Sequence, residues 1–264
     1  MNAITHTTPL RTGPATTINR HLKGEWTKLR TLPSTWRTAA FAAVLAIGFT
    51  GAVDFQQAGL TARQRGTFDA TSASLFGVII VAALLGALAV RTVTAEYSTG
   101  MIRATFSAMP SRRLVLAAKA ATVAAFVLPV ALLYDVAGFE LGQRIFATKH
   151  LQVALSHPGV PRAILFGAVA ASLVAITGVG LGGLIRHTAG ATTTLTLVVV
   201  GGVTLGQLLP AGLRQYLPGT AIQAAVTVHR SGGLLTPDTA IAVLAAYAAI
   251  ALAAALIRVA HTDA

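Results

Sequence analysis

The chain has 264 residues, 54% of them hydrophobic and only 11% charged, and its 20 Lys and Arg outnumber 8 Asp and Glu for a formal net charge of +12. A soluble domain carries about 25% charged residues, so this composition argues against a water-soluble fold. There is no cysteine, which excludes disulfides, thiolate metal sites and thiol nucleophiles, and in so apolar a chain the positive charge fits an anionic membrane surface better than nucleic acid.

Residues 1–17 are rich in Thr and Pro and are expected to form a disordered tail. Residues 18–33 then read as an amphipathic helix. Ile18, Leu22, Trp26 and Leu29 share one face, while Arg20, Lys23, Lys28 and Arg30 lie away from it. A basic helix with Trp on its apolar face lies in the membrane plane. Pro33 ends it, and Ser34 is placed to cap the first span. The polar leader, residues 1–36, is too long for the charged region of a cleavable signal, so none is expected.

Six apolar runs come next, at about 37–57, 72–90, 119–140, 163–185, 191–209 and 239–257. Each is close to the ~20 residues that cross a bilayer. Backbone groups in lipid find no water, so these runs must be helical, and none shows the polar–apolar alternation of a barrel strand. The expected fold is an all-α integral membrane protein, its six-span domain filling residues 34–264.

The connection between the second and third runs is long for a turn. On a helical wheel from Val93 to Met109, one broad side is apolar, while Glu96, Thr99, Gly100, Arg103 and Ser107 fall on a narrow polar stripe. The reading is a helix at about 93–109 with that stripe outward, ended by Pro110, with Ser111 capping the next helix.

Charge sets the orientation. Six Lys and Arg precede the first run, five lie between the second and third, and Arg186 and Arg258 join them, giving 13 on one side. The opposite side has seven: Arg63, Arg65, Arg144, Lys149, Arg162, Arg214 and Arg230. The richer side is cytoplasmic, so both termini are expected inside.

Acids within or near the spans are functional by default. Asp54, Asp135 and Glu140 are the candidates. Asp135 lies 16 residues past Lys119, about 24 Å along a helix, so all three are expected near the outer headgroups. There they are solvated, or line an outer gate. Glycines at 178 and 182, and at 202 and 206, permit close helix approach. The sequence has no G-x-x-x-x-G-K-[ST] phosphate loop, no H-E-x-x-H and no G-x-S-x-G. His150 and His157 share a loop without carboxylate or thiolate companions, so no metal site is expected.

Three short motifs, in order, resemble the ABC-2 type transporter permeases. They are E-W-T-K-L-R at Glu25 to Arg30, E-Y-x-x-G-x-I-R at Glu96 to Arg103, and L-G-G-L-I-R-H-T-A-G at Leu181 to Gly190. The resemblance implies an export-type permease subunit in a bacterial cytoplasmic membrane. It would pair with a second permease, as homodimer or heterodimer, and with a separate ABC ATPase that holds ATP and Mg. This chain itself would bind no cofactor and no nucleic acid, and would have membrane lipid around it. The same resemblance makes the connection after the second span a coupling helix, with Glu96, Tyr97, Gly100, Arg103 and Ser107 toward the ATPase. It places Glu25, Trp26, Lys28 and Arg30 on a flanking interfacial helix, and makes Gly206 to Thr227 short, partly re-entrant helices. Two rival classes remain: a non-transporting membrane anchor or sensory scaffold, and an ion-coupled secondary transporter.

Overall fold

A computed structural model describes residues 14–57, 68–101, 112–229 and 233–261. The described residues are helical, with no strand. Helix α1 (Pro14–Thr31) is separated by a single residue from α2 (Pro33–Gln57). A short α3 (Ala70–Ser74) leads through three turn residues into α4 (Val78–Ser98). Then come α5 (Arg112–Ala147) and α6 (Val160–Ile185). The next span, α7 (Thr188–Leu208), is α-helical to Thr196, widens to a π turn at Leu197–Gly201 and tightens to 3₁₀ at Leu205–Leu208. Two short pieces, α8 (Ala211–Arg214) and α9 (Pro218–Ala225), precede α10 (Pro237–His261).

Six of these helices are long and apolar enough to cross a membrane: α2, α3–α4 taken together, α5, α6, α7 and α10. The architecture is that of a multi-pass membrane protein. All six expected runs are found, and most are longer than their apolar cores. The second runs to Ser98, where 90 was expected, and the third starts at Arg112 and ends at Ala147.

The second and fourth spans form the centre. About 78% of the apolar window of α3–α4 is buried, against 28% for α2, α7 and α10, whose outer faces carry Phe41, Leu197 and Ile250. In a bilayer those faces meet acyl chains, so their exposure costs nothing. Small residues set the central contacts. A Cβ on Gly178 would stand 2.5 Å from the Gly86 carbonyl oxygen, and one on Gly182 3.0 Å from that of Val90. The sequence reading of these glycines as packing positions agrees with this.

After α7 the chain folds back along it. A Cβ on Gly219 would collide with the Val199 carbonyl oxygen, so the start of α9 rests at the π turn, well inside the span. Nearly all of α9 is buried. Pro210 and Pro218 divide the segment, as proline does by removing a donor. Broken backbone at this depth is tolerable because protein covers it.

The structure changes one boundary materially. Residues 93–98 are not the start of a separate helix. They are the last turns of α4, which ends where Gly100 takes a left-handed φ of +71°. Glycine adopts that conformation without the steric cost of a Cβ. Residues 102–111, which carry Arg103, Ser107 and Pro110, lie outside the described residues, as do residues 1–13 of the expected tail.

Candidate functional site

The end of the bundle that holds α1 contains a buried charge cluster drawn from three helices. Lys119 of α5 donates to Glu25 Oε2 of α1 at 2.7 Å and to Glu96 Oε1 of α4 at 2.6 Å. Lys28 closes the ring, donating to Glu25 Oε1 at 2.8 Å and Glu96 Oε1 at 3.1 Å. The Lys119 side chain is 2% exposed and the two carboxylates 6% and 7%. Two cations and two anions cancel. Burial pushes the Glu25 carboxyl upward, but Lys119 and Lys28 outweigh it and leave the group below its ordinary 4.5. For Lys28 burial acts downward, and the two glutamates win, raising it above 10.5.

Each member occupies a position that helix geometry dictates. Glu25 and Lys28 are three residues apart on α1 and so share a face. Glu96 and Lys119 are charges just beyond the apolar stretches on either side of one connection, at matching depth on antiparallel neighbours. The wheel puts Glu96 on an outward stripe; the structure turns it inward. A wheel ranks the faces of one segment and contains no information about a cation on the next helix.

Beside Glu96, Tyr97 carries the next link. The Arg186 guanidinium sits 5.0 Å from the centroid of its ring, a cation–π contact. Arg186 ends α6 with φ +58°, which aims its side chain back at α4. One residue beyond His187, Thr188 donates to Thr94 Oγ1 at 2.8 Å. The last turns of α4 thus touch α1, α5 and the α6–α7 turn together.

The other expected residues are dispersed. Trp26 is 40% exposed although it stands one turn from Leu29, which packs into the core. Arg30 lends its carbonyl to the Trp36 indole N–H at 2.8 Å.

Asp54 and Asp135 differ from expectation. Both are fully buried, and all four of their carboxyl oxygens lack a hydrogen-bond partner among the described residues. They are not at the bundle rim, because α5 continues twelve residues past Asp135 to Ala147 and α3 covers the end of α2. Each carboxyl is seated on a glycine of the facing helix. A Cβ on Gly142 would come within 2.6 Å of Asp54 Oδ2, and one on Gly167 within 2.6 Å of Asp135 Oδ2. Between them Tyr134 and Thr50 share a hydrogen bond of 3.0 Å. Thr50 Oγ1 also accepts the Gly77 N–H at 3.0 Å. Glu140 does not join this set; it is exposed on α5.

Two polar anchors escaped the sequence reading. Asp69 caps α3, accepting N–H groups of Thr71 and Ser72 with Oδ1, while its Oδ2 accepts those of Val228 and His229 at 2.8 and 3.0 Å. The run Asp69-Ala70-Thr71-Ser72, standing just ahead of an apolar stretch, is an N-cap signature that could have found the first half of this. Gln143 donates to Ser74 Oγ at 3.0 Å and accepts the Val153 N–H at 2.6 Å. No local pattern marks that bridge. Among the described residues no group of three or more His, Asp or Glu could hold a metal.

No protein-family model matches the chain, and no curated protein matches it.

Proposed function

We propose that the chain is the membrane-spanning permease subunit of an ABC exporter, driven by a separate ATPase. One observation supports this reading above the rest. The three motifs that resemble ABC-2 permeases, far apart in sequence, meet at one end of the bundle. Lys28 of the first bonds Glu96 of the second directly, Glu25 reaches it through Lys119, and Arg186 of the third covers Tyr97. Such a junction ties the last turns of α4 to α1, α5 and the α6–α7 turn at once. A push on those turns from a bound ATPase would reach α1, α5 and the α6–α7 turn. ATP and Mg belong to the partner, since this chain has no phosphate loop. In this reading the junction end is cytoplasmic, both termini lie inside a bacterial membrane, and a second permease completes the pathway.

Arg103→Glu tests the reading. If the stripe continuing from Gly100 docks on the ATPase, reversing that charge costs roughly 2–5 kcal/mol of association at a partly desolvated interface. Pull-down of the ATPase, normalised to membrane-inserted protein, should fall at least tenfold. Phe106→Asp, on the apolar side of the same segment, should lower insertion instead. Wild-type binding and transport by Arg103→Glu would leave the chain as an anchor or scaffold.

A second reading, an ion-coupled secondary transporter, is favoured by the unpartnered Asp54 and Asp135 and by the broken seventh helix. It predicts that an imposed ion gradient alone drives flux in proteoliposomes of the pure chain, and that Asp135→Asn abolishes it. The export reading predicts no flux without ATPase and ATP.

A further inference from the structure

A cleft of about 300 Å³ opens beside the charge cluster, between α1, the start of α2 and α4. Its composition is amphipathic. Leu29, Leu32 and Leu88 supply apolar wall, and Arg91, Lys28 and Glu96 supply charge. On α4 the residues Leu88, Thr92, Ala95 and Thr99 recur every three or four positions and form a strip along the cleft. Arg91 and Glu96 flank that strip on opposite sides, five residues apart and so about 7.5 Å along the axis.

Two groups here are incomplete. Glu96 Oε1 takes both lysines, but Glu96 Oε2 is buried without a hydrogen-bond partner among the described residues. Arg91 is exposed and has no ion-pair or hydrogen-bond partner among the described residues. Around them the charges cancel: Glu25 and Glu96 against Lys28 and Lys119. One spare cation, Arg91, thus stands exposed over an apolar wall, and one spare acceptor, Glu96 Oε2, lies just beneath the lining. A simple anion answers Arg91 but leaves Glu96 Oε2 without a donor. A simple cation answers Glu96 but meets a guanidinium. A zwitterion answers both.

Its place in the fold selects the source. Leu88 belongs to the apolar run of α4, and Arg91 is the first charge beyond it; Ser34 and Thr35, also on the lining, begin α2. The cleft straddles the boundary between hydrocarbon and headgroup, where a phospholipid places phosphate above and acyl chain below. The geometry points to a binding site for an aminophospholipid of the phosphatidylethanolamine class. Its phosphate pairs with Arg91, its ammonium N–H donates to Glu96 Oε2, and its glycerol and first methylenes lie on Leu29, Leu32 and Leu88. This site does not depend on the export reading; an anchor or an ion-coupled transporter with this fold would have it equally.

The headgroup chemistry provides the test without touching the charge cluster. Phosphatidylcholine keeps the charges but has no N–H, and phosphatidylglycerol keeps the phosphate but has no ammonium. The full chain is purified in detergent and titrated with each dioleoyl lipid, and bound lipid is counted by native mass spectrometry. Phosphatidylethanolamine should bind about tenfold more tightly than either, the worth of one charge-assisted hydrogen bond. Arg91→Gln, an exposed substitution that leaves the unliganded melting temperature unchanged, should lose that preference. Equal binding of the three lipids, tighter binding of phosphatidylglycerol, or an unaltered preference in Arg91→Gln would each overturn the proposal. So would free phosphoethanolamine binding as tightly as the lipid, which would make the ligand a soluble one.

Discussion

The two halves of the bundle treat buried charge in opposite ways. At the α1 end, Lys119 is as deeply buried as any lysine or arginine among the described residues, yet it is matched by two carboxylates and a second lysine. About four turns further along the same helix, Asp135 is buried with nothing to bond to, and Asp54 lies equally bare on α2. Burial is similar in the two places; partnership is not. A complete ion cluster holds helices in one arrangement. A buried carboxyl without partners holds no helix to another and costs the fold its desolvation. The first region ties three helices together through its charges; the second ties none through its carboxyls.

The sharpest way to break this comparison is to remove Lys119. Lys119→Ala leaves two buried carboxylates to share the half-exposed Lys28, which costs roughly 3–5 kcal/mol. The apparent melting temperature of the solubilised chain should drop well below wild type, and membrane yield should fall with it. Glu25→Gln and Glu96→Gln added to Lys119→Ala should restore part of the loss, because the stranded charges go too.

Smaller effects come from the glycines that seat the unpartnered region. On Gly142 a Cβ would collide with Ser74 Oγ and stand 2.6 Å from Asp54 Oδ2. Overpacking of this kind costs about 1–3 kcal/mol. Gly142→Ala should therefore lower the melting temperature less than Lys119→Ala does, while Gly212→Ala, with open space around it, should leave it unchanged.

The carboxyls themselves should matter least for stability. Asp135→Asn removes no bond, so melting should stay within about 1 kcal/mol of wild type. Transport, by contrast, should fall if this region lines or gates the pathway. A loss of stability as large as that of Lys119→Ala would erase the distinction between the two regions.

Between pH 4.5 and 10.5 Glu25 and Lys28 should contribute a steady stability. The Glu25 carboxyl lies below its ordinary 4.5 when folded, so its contribution is complete above that value and is lost as pH falls through the lowered one. Lys28 lies above 10.5, so its contribution is complete below that value and is lost as pH rises through the raised one. A melting temperature that drifts through this window in wild type but not in a cluster-neutralised variant would contradict the pairing.

Much of the fold was legible because its signals are local. Apolar run length located six helices, and Pro210 and Pro218 announced the broken segment before the last span. The charge cluster was half legible: Glu25, Lys28 and Glu96 stood within motifs, but their meeting at Lys119 is a tertiary fact. Glu96 was misdirected by a wheel drawn for an isolated helix. Asp54 and Asp135 were expected in polar surroundings near the outer headgroups and are buried instead, since rise per residue measures distance along a helix but not what covers it. Gln143 left no trace in the sequence, because a side chain that bridges to Ser74 and to the Val153 N–H needs no pattern of its own.

The proposed role as an exporter's permease is tested most directly by purifying the tagged chain from its native membrane in mild detergent and identifying what accompanies it. The account predicts an ATPase chain carrying a G-x-x-x-x-G-K-[ST] loop, in equal amount to this chain, with hydrolysis that disappears when that partner is washed away. A chain that purifies without any nucleotide-binding partner, and still moves cargo in proteoliposomes, would contradict it.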